Sequence, residues 1–229
     1  MKKILEHKII LFDLDNTLLD FTKAENYAIR RLAQDFNITL TDSDVTRYKE
    51  INEHYWHLSD SGQMSKKEIL KRRFIDFFSN FDLSVDGAKC DENYRNYLTD
   101  EVFLVEGAID LLEKISKDHD LYVVSNGVKS TQHKRMKKGN IEKYFKKVFL
   151  SDEIGFPKPE SGFFDYVIKN IDDFNFDEVV LVGDNLFTDI NGANKAGIKS
   201  CYFNFFNKPN TSSYKAVYEI KNLDEILEK

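Results

Sequence analysis

Cysteine, proline and tryptophan are scarce in this chain, with two, three and one among 229 residues. Cys90 and Cys201 are too few for a disulfide framework and read as buried thiols in a reducing cytoplasm. The few prolines form no linker, and no repeat or low-complexity tract divides the chain. Neither sign of charge dominates: 33 Lys+Arg against 39 Asp+Glu leave a net charge of -6, spread in mixed patches. That excludes a general attraction to nucleic acid or to an anionic membrane. Long hydrophobic runs are missing too. The opening "MKKILEHKIILFDLD" starts basic, but Glu6, His7 and Lys8 interrupt it. Asp13 then ends its apolar run far short of a signal-peptide core or a membrane span. The expectation is a cytoplasmic protein that is neither exported nor anchored. What is present, 41% hydrophobic residues over this length, suffices for a sizeable core in one large domain or two unequal ones.

Four short apolar runs recur: "KIILFD" at 8–13, "LYVVSN" at 121–126, "KVFLSD" at 147–152 and "VVLVGD" at 179–184. Continuous apolar runs without alternation suit strands buried on both faces. The last three are separated by helix-like segments, so the pattern predicts βαβ units and a parallel sheet. A fifth run, "CYFNFF" at 201–206, is expected to add an outer strand. Ligands of such sheets lie beyond the carboxyl ends of the strands, which sends the polar residues ending these runs to one rim. The stretch between the first and second strands reads instead as helices. Capping-box patterns stand at Thr22/Glu25, Thr41/Asp44 and Ser65/Glu68. Helical stripes follow at Val45, Tyr48, Ile51, Tyr55 and Leu58, and at Phe74, Phe77, Phe78 and Phe81. A fourth helix is expected around 92–98. Tyr55, Trp56 and His57 have the chemistry to stack on a ring, although Tyr55 lies on the core stripe.

Asp13 and Asp15 flank a residue that points the other way on an extended chain, so both carboxylates face one side at close range. A hard cation with oxygen ligands, Mg²⁺, resolves their repulsion, and Asp184 supplies a third carboxylate. The alternative for "DNT" is plain turn chemistry. Ser125, Asn126 and Gly127 offer a hydroxyl, an amide and a flexible glycine for a small anion nest. Lys158, between two prolines, is either a stiffly aimed cation or an exposed loop lysine. Asp189 is expected to start a helix, with Gly197 as its C-cap. Taken together these groups place metal, anion nest and cation around one point, which suits phosphate. Asp13 would attack phosphorus in line to form an aspartyl-phosphate. Asp15 would protonate the leaving oxygen and then activate water, a role typically worth about 10² to 10⁴ in rate. Mg²⁺ would be held by Asp13, Asp184 and the backbone carbonyl of Asp15. Ser125, Asn126 and Lys158 would hold the phosphate, and Asp189 would order the water shell of the metal.

"FDLDNTLLD", "VVSNG", "GFPKPESGFF" and "VGDNLFTD" resemble, in order, the four motifs of the haloacid dehalogenase superfamily. The resemblance implies an α/β fold: a Rossmann-like parallel-sheet core, residues 1–17 and 104–229, with an inserted α-helical cap of the C1 type over 18–103. It also implies a Mg²⁺-dependent phosphohydrolase. True dehalogenases of the superfamily lack the acid two residues after the nucleophile, and Asp15 is present here. The stretch "YKEINEHYWHLSDSGQMSKKEILKRRF" and that running from "NGVKSTQHKRMKKGN" to "FFDYV" are similar to the YjjG-type pyrimidine 5′-nucleotidases. That likeness implies a small phosphorylated metabolite, a nucleoside monophosphate, as partner. Asp20, Phe21, Ser59, Asp60, Ser61, Gly62, Gln63 and Met64 are the candidates for lining the leaving-group pocket. The alternatives are a phosphoglycolate-type or sugar-phosphate phosphatase or mutase on the same core, or a non-catalytic phosphoacceptor switch.

Overall fold

The computed structural model describes residues 3–228 and divides the chain into two compact units, 1–21 with 103–229 and 22–102. The first unit is built on six parallel strands: β1 (Ile9–Phe12), β2 (Asp120–Ser125), β3 (Lys147–Leu150), β4 (Val179–Gly183), β5 (Lys199–Phe203) and β6 (Tyr218–Ile220), in the order β3-β2-β1-β4-β5-β6. The expected α/β fold is therefore present, with one change. The fifth strand is not the outer one, because β6 pairs with it from Cys201↔Tyr218 to Phe203↔Ile220.

β1 lies at the centre, flanked by β2 and β4, with Phe12 opposite both Val123 and Val182. All four residues of β1 and all five of β4 are buried, as a strand covered on both faces requires. Ile9 and Leu11 pack with Tyr122, Phe149, Phe163 and Leu181 in one cluster. Fully burying side chains of this kind contributes about 1.5–3 kcal/mol apiece. Because the central strands run the same way in step, the residues just beyond Phe12, Val124 and Val182 emerge along one rim.

The second unit is helical. Its elements are α1 (Phe21–Gln34), α2 (Asp42–Asp60), α3 (Lys66–Ser79) and α4 (Gly87–Asp100). The box at Thr41/Asp44 forms in both directions, and Ser65 accepts from the Glu68 amide. The first expected cap is different: α1 already begins at Phe21, so Thr22 lies inside its first turn. The fourth helix starts earlier than expected, where Asp86 accepts from the amides of Ala88 and Lys89. The stripes pack as core, with Val45, Tyr48, Tyr55, Phe74, Phe77 and Phe78 buried, while Ile51 and Leu58 are only half-buried. Tyr48 stacks on Phe74 at 5.8 Å and meets Phe77 edge-on at 5.2 Å.

One polar chain runs through this interior and touches all four helices. Asn52 donates to Glu25 at 2.6 Å, Arg73 donates to Asn52 and to Asp91 at 2.7 Å each, and Arg95 reaches the other oxygen of Asp91 at 2.7 Å. The Arg73 guanidinium also lies over the rings of Phe74 and Tyr94, at 4.7 and 5.0 Å. Among the described residues, no helix is long and apolar enough to cross a membrane.

Candidate active site

Asp13 is the first residue after β1, and its amide still donates to Val182 at 2.9 Å, so its carboxylate is set by the sheet. The chain then turns. Asn16 takes φ 56°, a left-handed conformation that asparagine tolerates, and its amide donates to Leu19 at 2.7 Å. Asp15 sits in that turn, partly exposed, while Thr17 is buried and its hydroxyl donates to Asp13 Oδ2 at 3.3 Å.

Lys158 is not a loop lysine in solvent. It is 1% exposed, and its ammonium donates to Asp13 Oδ1 at 2.7 Å, Asp189 Oδ1 at 2.6 Å and the Val124 carbonyl at 2.9 Å. Its backbone is pinned by Asn126, whose side-chain amide donates to the Lys158 carbonyl at 2.9 Å and accepts from its N–H at 2.8 Å. Burial alone would lower the Lys158 pKa, but the attraction of Asp13 and Asp189 outweighs it and the net shift is upward.

Asp184 follows β4 directly, and one ligand oxygen from each of Asp13, Asp184 and Asp189 lies within 4.8 Å of the others. Burial pushes the Asp13 carboxyl up to about 7 against the pull of Lys158, with repulsion from Asp189 and Asp15 adding to it. Asp184 is raised well above the ordinary carboxylate range, by burial first and then by Asp13 and Asp189, although part of its surface stays exposed. Three carboxylates thus face one ammonium. A set of hard oxygen donors with surplus negative charge fits a divalent cation such as Mg²⁺.

Asp189 does not start a helix. It lies within a π turn, Leu186–Ile190, whose capping side chain is Asn185, which accepts from the amides of Phe187 and Thr188. Asp189 Oδ2 instead accepts from the Asn185 N–H at 3.1 Å, and its carboxylate lies so close to Gly183 that a Cβ there would come within 2.4 Å of Oδ2. Gly197, at φ 74°, does follow the short helix Asn191–Lys195 in the left-handed conformation of a C-terminal glycine.

Ser125 ends β2 and accepts from the Gly127 N–H at 3.0 Å. Gly127 does not have positive φ; its lack of a side chain makes room for Gln132, whose amide nitrogen would lie 2.2 Å from a Cβ there. Gln132 and Arg135 belong to α5 (Lys129–Lys138) and escape a reading by motif. Gln132 donates to Asp15 Oδ2 at 2.6 Å and to Ser125 Oγ at 3.0 Å, and Arg135 donates to Asp15 Oδ1. "KSTQHKRMKK" looks like a solvated basic helix; the only signal is that it follows directly on the second motif, which ends at the rim.

Of the leaving-group candidates, Asp20 is buried in the first unit and donates its N–H to the Phe103 carbonyl at 2.9 Å. The Phe21 ring lies 5.5 Å from the Arg135 guanidinium. Ser59 and Asp60 end α2, and Ser61, Gly62, Gln63 and Met64 form the turn to α3, with Gly62 at φ 72°. That turn is closed on itself, since Ser61 donates to the His57 carbonyl at 2.7 Å and Gln63 donates to Ser61 at 2.9 Å.

Known proteins match this chain over nearly its full length. The structure of the HAD-hydrolase YfnB from Bacillus subtilis, described as bound to magnesium, superimposes with a TM-score of 0.93 at 36% identity, covering 99% of this chain and 98% of that one. The pyrimidine 5′-nucleotidase PynA of Streptococcus pneumoniae is 32% identical over 97% of this chain and 94% of its own. The pyrimidine 5′-nucleotidase YjjG of Escherichia coli is 25% identical over 95% of each chain. The family described as haloacid dehalogenase-like hydrolase matches residues 10–203. With the parallel sheet, the carboxylates at its rim and that span of matched sequence, the chain belongs to the haloacid dehalogenase-like hydrolases and is an enzyme of that family.

Proposed function

We propose that this enzyme is a Mg²⁺-dependent phosphomonoesterase that works through an aspartyl-phosphate on Asp13 and acts on pyrimidine nucleoside 5′-monophosphates. The observation that carries the reading is a surplus of clustered carboxylate: Lys158 pairs with Asp13 and Asp189, while Asp184, in the same cluster, has no ion pair among the described residues. Such crowding is costly for stability alone and is retained where charge has work to do. Asp13, Asp184 and the Asp15 carbonyl would hold the metal, with Asp189 ordering its water. When bound, the cation offsets the repulsion between the Asp13 carboxylate and an approaching phosphate dianion.

The remaining steps belong to the chain. An oxygen of Asp13 attacks phosphorus as the bond to the leaving oxygen breaks, and Asp15 gives that oxygen its proton. Water then attacks the same phosphorus, Asp15 takes its proton, and the bond to Asp13 breaks to release phosphate. Lys158 offsets charge on the transferring group, and Ser125 with the Asn126 amide binds its oxygens.

The pyrimidine preference rests on PynA and YjjG, which bear that activity in their names. Residues at the rim would meet the metal and the phosphoryl group, which do not differ between phosphomonoesters, so we assign selection of the leaving group to the helical segment 18–103, with Ser59–Met64 as its candidate loop. The test is a phosphate-release panel with Mg²⁺ over nucleoside monophosphates, sugar phosphates and phosphoglycolate. UMP, dUMP and dTMP are expected to exceed purine nucleotides and sugar phosphates in kcat/KM, and EDTA to abolish release until Mg²⁺ is returned. A flat profile overturns the substrate assignment, and full activity in EDTA overturns the metal.

A further inference from the structure

From α5 we infer a second function at the rim: Gln132 and Arg135 are positioning residues that clamp the carboxylate of Asp15 and so aim the proton it exchanges with the leaving oxygen. The inference rests on the acid-base role proposed for Asp15. Three observations support it. First, each oxygen of Asp15 has its own donor, Gln132 Nε2 on Oδ2 at 2.6 Å and Arg135 on Oδ1, so the carboxylate is held against rotation about both its torsions. An aspartate that served only as a turn residue would need neither. Secondly, the donors are themselves fixed. They stand three residues apart on one helical face, and Arg135 donates to Gln132 Oε1 at 3.0 Å. That bond settles which end of the Gln132 amide is the nitrogen, and the nitrogen then donates both to Asp15 and to Ser125 Oγ, at 3.0 Å. The proposed acid and the proposed phosphate ligand are thereby tied to one amide.

Thirdly, the molecule accepts packing and polar costs to keep this arrangement. Gly127 leaves the space that Gln132 occupies, since a Cβ there would meet its amide nitrogen, carbon and Cγ at 2.2, 2.5 and 2.8 Å. Arg135 is 1% exposed, and its Nε has no partner among the described residues. A guanidinium placed for stability would have all its N–H groups paired; this one is spent on Asp15 and Gln132, with the Phe21 ring 5.5 Å from its centre.

The test is the rate of the first chemical step on two esters that differ in how much they need an acid. Burst release of the phenol is followed in a single turnover with Mg²⁺, for phenyl phosphate and for p-nitrophenyl phosphate, whose leaving group departs with little protonation. Gln132→Met keeps the side-chain volume and removes the amide; Arg135→Ala removes the guanidinium; Arg135→Lys retains a cationic donor. Circular dichroism verifies that each variant is folded. Gln132→Met and Arg135→Ala are expected to slow phenyl phosphate by about 10²-fold and p-nitrophenyl phosphate by less than about five-fold. Arg135→Lys is expected to recover about ten-fold of the loss. Equal losses on the two esters in Gln132→Met, with Asp15→Asn discriminating between them, overturn the clamp and leave the role of Asp15 standing. If Asp15→Asn itself treats the two esters alike, the acid-base reading fails instead.

Discussion

Inside the helical unit Glu25 and Asp91 share their surroundings with Arg73, Arg95 and Asn52, two acids against two guanidiniums, linked in one chain of hydrogen bonds. At the strand rim of the other unit Asp13, Asp184 and Asp189 cluster together, and the one ammonium of Lys158 bonds to Asp13 and Asp189. Both regions bury charge. In the first, both guanidiniums pair with Asp91 and Glu25 is held by the Asn52 amide, and such a network ties four helices into one register. The second is left negative, and that imbalance separates a site from a scaffold, because only a group from outside can restore neutrality.

Removing the central cation from each region should separate their behaviour most sharply. Arg73→Met leaves Asp91 with Arg95 alone and strands Asn52, and should cost about 3–5 kcal/mol in urea denaturation, with or without Mg²⁺. Lys158→Met should cost a similar amount in EDTA, but Mg²⁺ should return a measurable part of it. Recovery of Arg73→Met by Mg²⁺, or none in Lys158→Met, would erase the distinction.

Sequence alone exposes the rim better than the scaffold. Asp13 and Asp184 close apolar runs and Asp189 lies just past the second, and a parallel sheet brings the ends of its strands to one edge whatever the details of packing; Lys158 is marked only by the two prolines beside it. The buried chain in the helical unit is hidden because Glu25, Asn52, Arg73 and Asp91 sit singly on four helices, where each resembles an ordinary surface residue. Gln132 and Arg135 are hidden for a related reason: hydropathy treats an inward polar face and a solvated one alike. β6 is three residues long with Glu219 at its centre, below the length at which periodicity speaks. Asp189 was expected to begin a helix because acids favour first turns, but Asn185 takes that place and the intervening turn is of the π type.

A smaller effect concerns the one strained acid of the scaffold. Burial raises Glu25 to about 7 from 4.5, only partly opposed by Lys49 and the Asn52 hydrogen bond. A carboxyl whose pKa is higher in the folded state stabilises the fold fully below the unfolded value, and that contribution is lost as pH rises through the folded one. Stability of the helical unit should therefore fall by about 3 kcal/mol between pH 4.5 and pH 7 on this account, and Glu25→Gln should remove that slope. Urea midpoints across the range measure it; an unchanged slope in Glu25→Gln would show that the acid is not the source. The smallest effect is expected at Thr17, whose single bond to Asp13 Oδ2 is 3.3 Å long. Thr17→Val should lower kcat by about ten-fold or less, consistent with about 1 kcal/mol for one hydrogen bond, and should leave KM nearly unchanged.

Where the phosphoryl group goes distinguishes an aspartate-based centre from any other. Wild-type enzyme mixed with p-nitrophenyl phosphate and Mg²⁺, quenched in acid and digested, should show by mass spectrometry the added mass of one phosphoryl group on the peptide that carries Asp13, and Asp13→Asn or EDTA should remove it. A phosphoryl group found on Ser125, or an adduct that persists in Asp13→Asn, would contradict the assignment of the rim as an aspartate-based phosphoryl-transfer centre.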